Sequence, residues 1–466
     1  MQATFNSKST QQISGSNASS NLFGISLIAA LAGFIFGFDT VVISGANLPI
    51  KELWHTSPWF HGFFIMSMAL WGTVAGSVFG GIPTEKFGRK KVLLWIGILF
   101  SISALGSAFA QGPYMFSFFR FIGGLGIGVS SVAAPTYISE ISTPKTRGRL
   151  GAMYQFNIVF GILIAFLSNY FLQGQGGNND WRWMLGVMAV PSLIYTLMVF
   201  SIPESPRWLL SMKKDIAGAK KVMIRLGVPN PDEEIALITT SNEHESKSGK
   251  SYSFFSSKYS VVIWLAFMVA FFNQWSGINF ILYYAPEILE RAGLAAKDSL
   301  FNSIAIGGTN LLFTFVGLYL IDKAGRKTLL IIGSIGYIVS LSMVAWAFYA
   351  GAGAGFLLFF LLLFIASHAV GQGAVIWVFI SEIFPNKVRA TGQAFGASVH
   401  WVFAAIITLI TPAFLDKDNG IFRDNPWPIF GFFAFMMALQ LIWVLTKVPE
   451  TKGVSLEELE KKLVKE

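Results

Sequence analysis

The sequence predicts an all-α polytopic membrane protein, with twelve transmembrane helices in two parallel six-helix halves and short helices at the cytoplasmic face. Three observations predict it. Hydrophobic residues make up 53% of the 466-residue chain and charged residues 13%, about half the charged share usual in soluble domains. Apolar runs of roughly 20 residues, the length a tilted helix needs to cross, recur along the whole chain. Landmarks of the first half return, in order, in the second.

Residues 1–20, rich in Ser, Asn and Gln, read as a disordered cytoplasmic tail. They lack the basic start, short apolar core and small-residue cleavage site of a signal peptide, so the first span reads as part of the membrane domain. Spans are expected at 22–47, 60–83, 92–110, 114–139, 151–172 and 184–202, forming an N-terminal half over 21–202. A polar linker covers 203–258. Further spans follow at 259–286, 300–321, 328–350, 355–383, 391–414 and 427–447, forming a C-terminal half over 259–447 before a tail at 448–466. Within the linker, residues 208–226 set apolar positions at helical spacing among lysines, as short amphipathic helices on the membrane surface do; a solvated linker is the alternative. Ser455 and Glu458 stand at capping-box spacing at the head of a last short helix.

The net charge of +9 could suit nucleic acid, but it concentrates in short loops between apolar runs, a pattern that sets topology. Loops after spans 2, 4, 8 and 10, including Arg89-Lys90-Lys91 and Arg326-Lys327, hold about twice as many Lys and Arg as the loops opposite. This makes them cytoplasmic, with both termini inside. There is no cysteine, which excludes disulfides and thiolate metal sites. Neither a GxxxxGK[ST] loop nor an HExxH pair occurs, so ATP-driven pumping and zinc proteolysis lack support. The GGLGIG stretch at 123–128 carries Gly124 and Gly128 at small-xxx-small spacing and reads as a helix-packing seam.

The internal repeat is explicit. GGIPTEKFGRKK (80–91) answers to GLYLIDKAGRKT (317–328), aligning Glu85 with Asp322 and Arg89 with Arg326. YISEISTPKTRGR (137–149) answers to FISEIFPNKVRAT (379–391), aligning Glu140 with Glu382; Arg147 and Arg389 follow in the two copies. IPESPRW (202–208) is echoed by VPETKG (448–453), aligning Glu204 with Glu450. Parallel repeats of six spans mark transporters that bind substrate near the midplane between halves. Acids contribute little to orientation, so the matched glutamates point to a charge lock at the cytoplasmic helix ends rather than to topology alone. Such a lock would hold the state closed to the cytoplasm and separate when it opens. In span 1, Asp39 interrupts the apolar run GFIFGFDTVVISG (33–45). A charge at mid-bilayer costs roughly 2.5–3.5 kcal/mol on insertion scales, so an intramembrane acid is a functional candidate.

These motifs resemble the sugar porter family of the major facilitator superfamily, over nearly the whole chain. The resemblance rests on GFDTVVISG, the FGRKK loop, FRFIGGLGIG, PESPRWL, NQWSGINFILYYAPEI, DKAGRK, and GQGAVIW with ISEIFP. It implies the major facilitator fold and sugar contacts at Gln155, Gln274, Asn279, Asn310 and Trp377. Phe36 and Tyr283, with neighbouring Tyr284, fall where the family lines or gates its cavity. Chemistry agrees, because a sugar's hydroxyl ring and apolar face ask for amides that donate and accept, beside an aromatic platform. Asn273, Gln274 and Asn279 surround Gly277, whose place inside span 7 suggests a broken, cavity-lining helix; interhelical amide glue is the bland alternative. Asn273 stands where most sugar porters have glutamine. His368-Ala369 in span 10 and His400-Trp401 in span 11 resemble fructose-accepting animal facilitators, whereas Trp377 is more like glucose porters. A satisfied core role is the alternative for each histidine.

Proton-coupled members of the family place an acid at the position of Asp39 and an arginine at that of Arg120. Burial favours the neutral acid and a nearby guanidinium the charged one, so such a pair can bind and release a proton; a static ion pair is the alternative. The expectation is a hexose:proton symporter, for fructose, glucose or both, working by alternating access in a bacterial inner membrane. It makes and breaks no covalent bond. No cofactor or metal is expected; the expected partners are a small-molecule sugar, a proton and the lipid bilayer, with no nucleic acid, and the chain is expected to act as a monomer. A passive hexose facilitator and, more remotely, a transporter-like sugar sensor are the rivals.

Overall fold

The computed structural model describes residues 21–143, 146, 148–240, 254–385, 387–454 and 458–464. The expected tail at 1–20, Arg147 and the Ser455 cap lie outside the described residues. Among the described residues, 11 helices are long and apolar enough to cross a membrane. A bent pair, Pro58–Met66 and Met68–Phe79, meets at 42° and makes a twelfth span. The first half comprises span 1 (Asn21–Trp54), the bent span 2, span 3 (Arg89–Ala108), span 4 (Pro113–Ile141), span 5 (Gly148–Leu172) and span 6 (Gly177–Val199). The second comprises span 7 (Ser257–Arg291), span 8 (Ala296–Ala324), span 9 (Arg326–Ala350), span 10 (Ala354–Ile383), span 11 (Arg389–Leu415) and span 12 (Trp427–Lys447).

Several helices outrun their apolar stretches. Span 1 continues past residue 47 to Trp54, through Asn47, Lys51 and Glu52. Hydropathy marks the hydrocarbon depth, about 30 Å, whereas helical hydrogen bonding persists through the headgroup layer. Within the halves, span 1 packs on span 5, span 2 on span 4, span 7 on span 11 and span 9 on span 12. Between them, span 1 meets span 7, span 2 meets span 11 and span 5 meets span 8. The matched pairing of 2 with 11 and 5 with 8 follows from duplication of a six-span unit in one orientation.

The glycine seam is where the sequence puts it. Gly72 of span 2 and Gly124 of span 4 lie backbone to backbone; a methyl group at Gly124 would overlap the Ala69 carbonyl, and one at Gly72 the Phe121 carbonyl. Small residues allow such an approach in a bilayer, where lipid competes on equal terms with apolar side chains and packing must supply the attraction. Span 7 is broken as expected. Gly277 sits at φ +86° between helices Ser260–Trp275 and Ile278–Arg291, a conformation that a side chain would strain. Span 10 also breaks, at Gly371, between Ala354–Val370 and Gln372–Ile383.

The linker folds as short helices, including Ile216–Arg225, which Asp215 caps, and Pro231–Lys247. Their apolar faces close a small core of Leu210, Ala219, Met223, Ile235 and Ile238. At one end the linker is tied to the first half, where the Trp208 indole donates to the Glu85 carbonyl at 2.6 Å. At the other, Phe254 packs on Phe384 and Phe395 of the second half.

Candidate functional site

Spans 1 and 4 cross with Asp39 facing Arg120. Arg120 Nη1 donates to Asp39 Oδ1 at 2.5 Å and Nη2 to the Asp39 backbone carbonyl at 3.2 Å. Both side chains are buried. The pairing is incomplete, because Asp39 Oδ2 and Arg120 Nε have no hydrogen-bond partner among the described residues. A buried ion pair repays its desolvation only when its remaining polar atoms are satisfied. This one is therefore a poor structural strut, with an acceptor position left open.

The amides gather on the second half. Gln274 Nε2 donates to Asn273 Oδ1 at 3.0 Å and lies 3.1 Å from His400 Nε2 of span 11. The His400 ring packs against Trp377 of span 10 and Trp401, with centroids 5.0 and 4.8 Å away. Trp401 in turn meets Phe36 of span 1 across the halves at 5.5 Å. Gln274 Oε1 and Asn279 Nδ2 are buried without a hydrogen-bond partner among the described residues, one an open acceptor and the other an open donor. Asn310 is buried in span 8 and Gln155 half-buried in span 5, the two spans in contact. Trp377 keeps 37% of its surface exposed amid otherwise covered neighbours. Tyr283 is buried and its hydroxyl has no hydrogen-bond partner among the described residues, whereas the Tyr284 hydroxyl donates to the Thr408 carbonyl at 2.8 Å and pins span 7 to span 11. His368 is tied to the Tyr337 hydroxyl, 2.6 Å from its Nδ1, inside the second half.

At the basic-loop end both copies repeat the same glycine turn, arginine fork and capping glutamate. Gly88 (φ +96°) turns the chain into span 3, and Gly325 (φ +92°) into span 9. Arg89 then donates through Nε and Nη2 to Glu140 at 2.9 and 2.8 Å, as Arg326 does to Glu382 at 3.1 and 2.8 Å. Glu204 accepts from the backbone N–H of Arg89 and Lys90, at 2.9 and 3.0 Å, and Glu450 from those of Arg326 and Lys327, also at 2.9 and 3.0 Å. Each glutamate thus caps a helix whose first amides have no partner within it, with its charge against the positive end of the dipole. A left-handed glycine is needed because a side chain there would overlap the capping carboxylate.

Each of these sets closes within its own half. The copies also differ. Asp322 adds an ion pair to Arg326 at 3.2 Å, whereas Glu85 contributes only its carbonyl, to Trp208. Arg389 donates to the Phe384 carbonyl at 3.2 Å, with no lock acid among its hydrogen-bond partners in the described residues. Burial pushes the Glu204 carboxyl above the ordinary glutamate range, against the pull of the Ser205, Lys90 and Arg89 amides. Burial also acts on Glu450, but the amides of Lys452, Arg326, Lys327 and Thr451 together hold it below that range.

The sequence reading missed a polar cluster at the opposite end of the bundle, formed by Asn47, His61 and Glu287 with Lys51 against Asp416. Its signal was present, in Glu287 of YYAPEI and in Asn47 within an apolar run, but nothing in the spacing links residues so far apart.

A family model described as sugar (and other) transporter matches residues 25–463. The chain is 35% identical over 448 residues to the arabinose-proton symporter of Bacillus subtilis, covering 95% of both chains. It is 34% identical over 458 residues to a glucose transport protein of Synechocystis, covering 93% of this chain and 96% of that one. A solved structure of the xylose transporter XylE from E. coli, in a partially occluded inward-open conformation, superposes with a TM-score of 0.82. That match has 30% identity and covers 94% of this chain and 100% of that one.

Proposed function

The chain belongs to the sugar (and other) transporter family of the major facilitator superfamily, and from that premise we propose that it is a sugar:proton symporter working by alternating access. The observation that carries the proton is the buried Asp39–Arg120 pair, with an unpartnered oxygen on the acid and an unpartnered Nε on the arginine. An acid held by only one oxygen to a guanidinium, with its other oxygen open, can take up or release a proton when water access changes. The names of the relatives, one an arabinose-proton symporter, support the coupling.

The sugar binds between the halves. Gln274 and Asn279, beside Asn273, offer the open acceptor and donor that sugar hydroxyls require, and we assign Gln155 and Asn310, on the contacting spans 5 and 8, to the same site. Trp377, partly exposed beside His400 and Trp401, supplies the platform for the apolar face. Phe36 and Tyr283 line the path. The substrate is a hexose, fructose or glucose; His400 hydrogen-bonded to Gln274 adds a polar group beside the shortened Asn273 arm. The relatives named for arabinose and xylose keep a pentose as the competing reading.

The basic loops face the cytoplasm of a bacterial inner membrane, with both termini inside, and the chain acts as a monomer. Uptake of labelled sugar into sealed vesicles, with and without an inward proton gradient, tests the coupling; accumulation only with the gradient is expected, and mere equilibration would leave a facilitator. Competition by unlabelled hexoses and pentoses tests the sugar, with hexoses expected to displace the label and pentoses not.

A further inference from the structure

The polar cluster at the outer end of the bundle has a single consistent hydrogen-bond direction. Glu287 of span 7 is an acceptor when ionised, so the Asn47 amide must present its Nδ2, which donates to Glu287 Oε2 at 2.7 Å. Asn47 Oδ1 is then the acceptor for His61 Nε2, at 2.8 Å, which places the ring proton on Nε2. The remaining ring nitrogen, Nδ1, accepts the Thr56 hydroxyl at 2.8 Å. Every donor in the chain Thr56, His61, Asn47 points toward the carboxylate. Hydrogen bonds aligned in this way strengthen one another in a low-dielectric setting.

The chain of bonds begins in the first half and ends in the second. Asn47, His61 and Glu287 are all buried. Beside them Lys51 of span 1 forms an ion pair with Asp416, after span 11, a second tie between the halves at the same end. Gly62 completes the contact, lying so close to the Leu409 carbonyl that a methyl group would overlap it. A polar cavity of about 570 Å³, lined by Lys51, Glu52, Glu287, Arg291, Lys417 and Asp418 among others, adjoins Glu287. The charge lock at the basic-loop end, by contrast, joins helices of one half only. Parting the halves at the outer end must therefore break a charge-assisted bond that parting them at the other end leaves untouched.

We propose that the Asn47–Glu287 bond, aligned by His61, is the latch of the outer gate, and that Glu287 is a positioning residue for alternation. The proposal rests on the alternating-access reading above. Its test reads the gate without sugar or proton gradient, so a failure to transport sugar would not be confused with a failure of the latch. The chain has no cysteine, and an introduced thiol is therefore the only one present. Ser44 is buried one helical turn from Asn47 on the same side of span 1, and Ser44→Cys serves as reporter.

A membrane-impermeant maleimide is applied from outside. Asn47→Ala is expected to raise the labelling rate by about tenfold or more, the scale of losing one hydrogen bond to a charged group. Glu287→Gln, which keeps the shape but not the charge, is expected to raise it less. A Ser103→Cys reporter, buried inside the first half, is expected to stay unlabelled. Labelling of Ser103→Cys would mean general loosening and would overturn the proposal. So would an unchanged Ser44→Cys rate in Glu287→Gln with the protein intact in the membrane. That isosteric variant decides alone if Asn47→Ala fails to accumulate.

Discussion

The two halves descend from one six-span unit yet carry different chemistry at midspan. The first holds a charged pair, Asp39 with Arg120, on spans 1 and 4. The second gathers neutral groups, Gln274, Asn273, Asn279, Asn310 and His400, with Trp377 beside them. At the basic-loop end the halves remain nearly superimposable, down to the glycine turn, the arginine fork and the capping glutamate. Backbone geometry explains the retention, since both copies must start a helix at a sharp turn and satisfy its first amides. Nothing in the backbone requires both copies to present the same side chains to a cavity. The repeat is thus kept where the fold needs it twice and has diverged where transport needs each chemistry once. On the proposed function, the first half carries the proton and the second most of the sugar contacts, with Gln155 the first half's share of that site.

The largest effect should come from collapsing that division on the charged side. Asp39→Asn removes the titrating group while keeping its size and its acceptor for Arg120. Concentrative uptake should be abolished, while sugar exchange down a gradient persists; loss of binding as well, read by ligand protection or calorimetry, would make the pair structural. Next comes the neutral side. Gln274→Ala deletes the amide that meets both Asn273 and His400. It should weaken sugar binding by roughly 1–3 kcal/mol, the scale of leaving a buried hydroxyl without its partner. The proton dependence of uptake should not move. A changed dependence in Gln274→Ala, or unchanged affinity, would break the assignment of one role to each half.

How much of this was legible depended on what kind of signal each feature leaves. Spans are written in composition, and their number and order were readable because a bilayer admits few alternatives. The broken span 7 was readable through Gly277, since a glycine among amides has few uses in a membrane helix. Asp39 stood out as a charge inside an apolar run, but its pairing with Arg120 was readable only through the family resemblance; no spacing rule brings spans 1 and 4 together. The direction of the lock pairs was not readable. Arg89 could have paired with Glu382 of the other half instead of Glu140 of its own, and only the structure puts each pair within one half. The Asn47–Glu287 bond was missed for the same reason: both residues stand out in the sequence, but hydropathy at an outer helix end does not distinguish a solvated polar residue from a buried tie between halves.

The smallest expected effect sharpens the comparison where the halves look most alike. Glu204 and Glu450 make the same helix cap, yet burial lifts the first above the ordinary glutamate range while surrounding amides hold the second below it. A group whose folded pKa is raised favours the fold most when protonated, so Glu204 costs stability as pH rises through its folded pKa. A group whose folded pKa is depressed contributes above its unfolded value and loses that contribution as pH falls through the folded one. At neutral pH, Glu450→Gln should therefore lower the melting temperature more than Glu204→Gln. The cost of Glu450→Gln should stay below about 1 kcal/mol, because solvent screens a carboxylate as exposed as this one. On acidification into the ordinary glutamate range, near about 4.3, the deficit of Glu450→Gln should shrink, while Glu204→Gln loses whatever advantage it held at neutral pH. Melting curves of the two variants and the parent in detergent, taken across that range, would decide it; equal effects at neutral pH would make the two caps electrostatically equivalent, and the reverse order would invert the assignment.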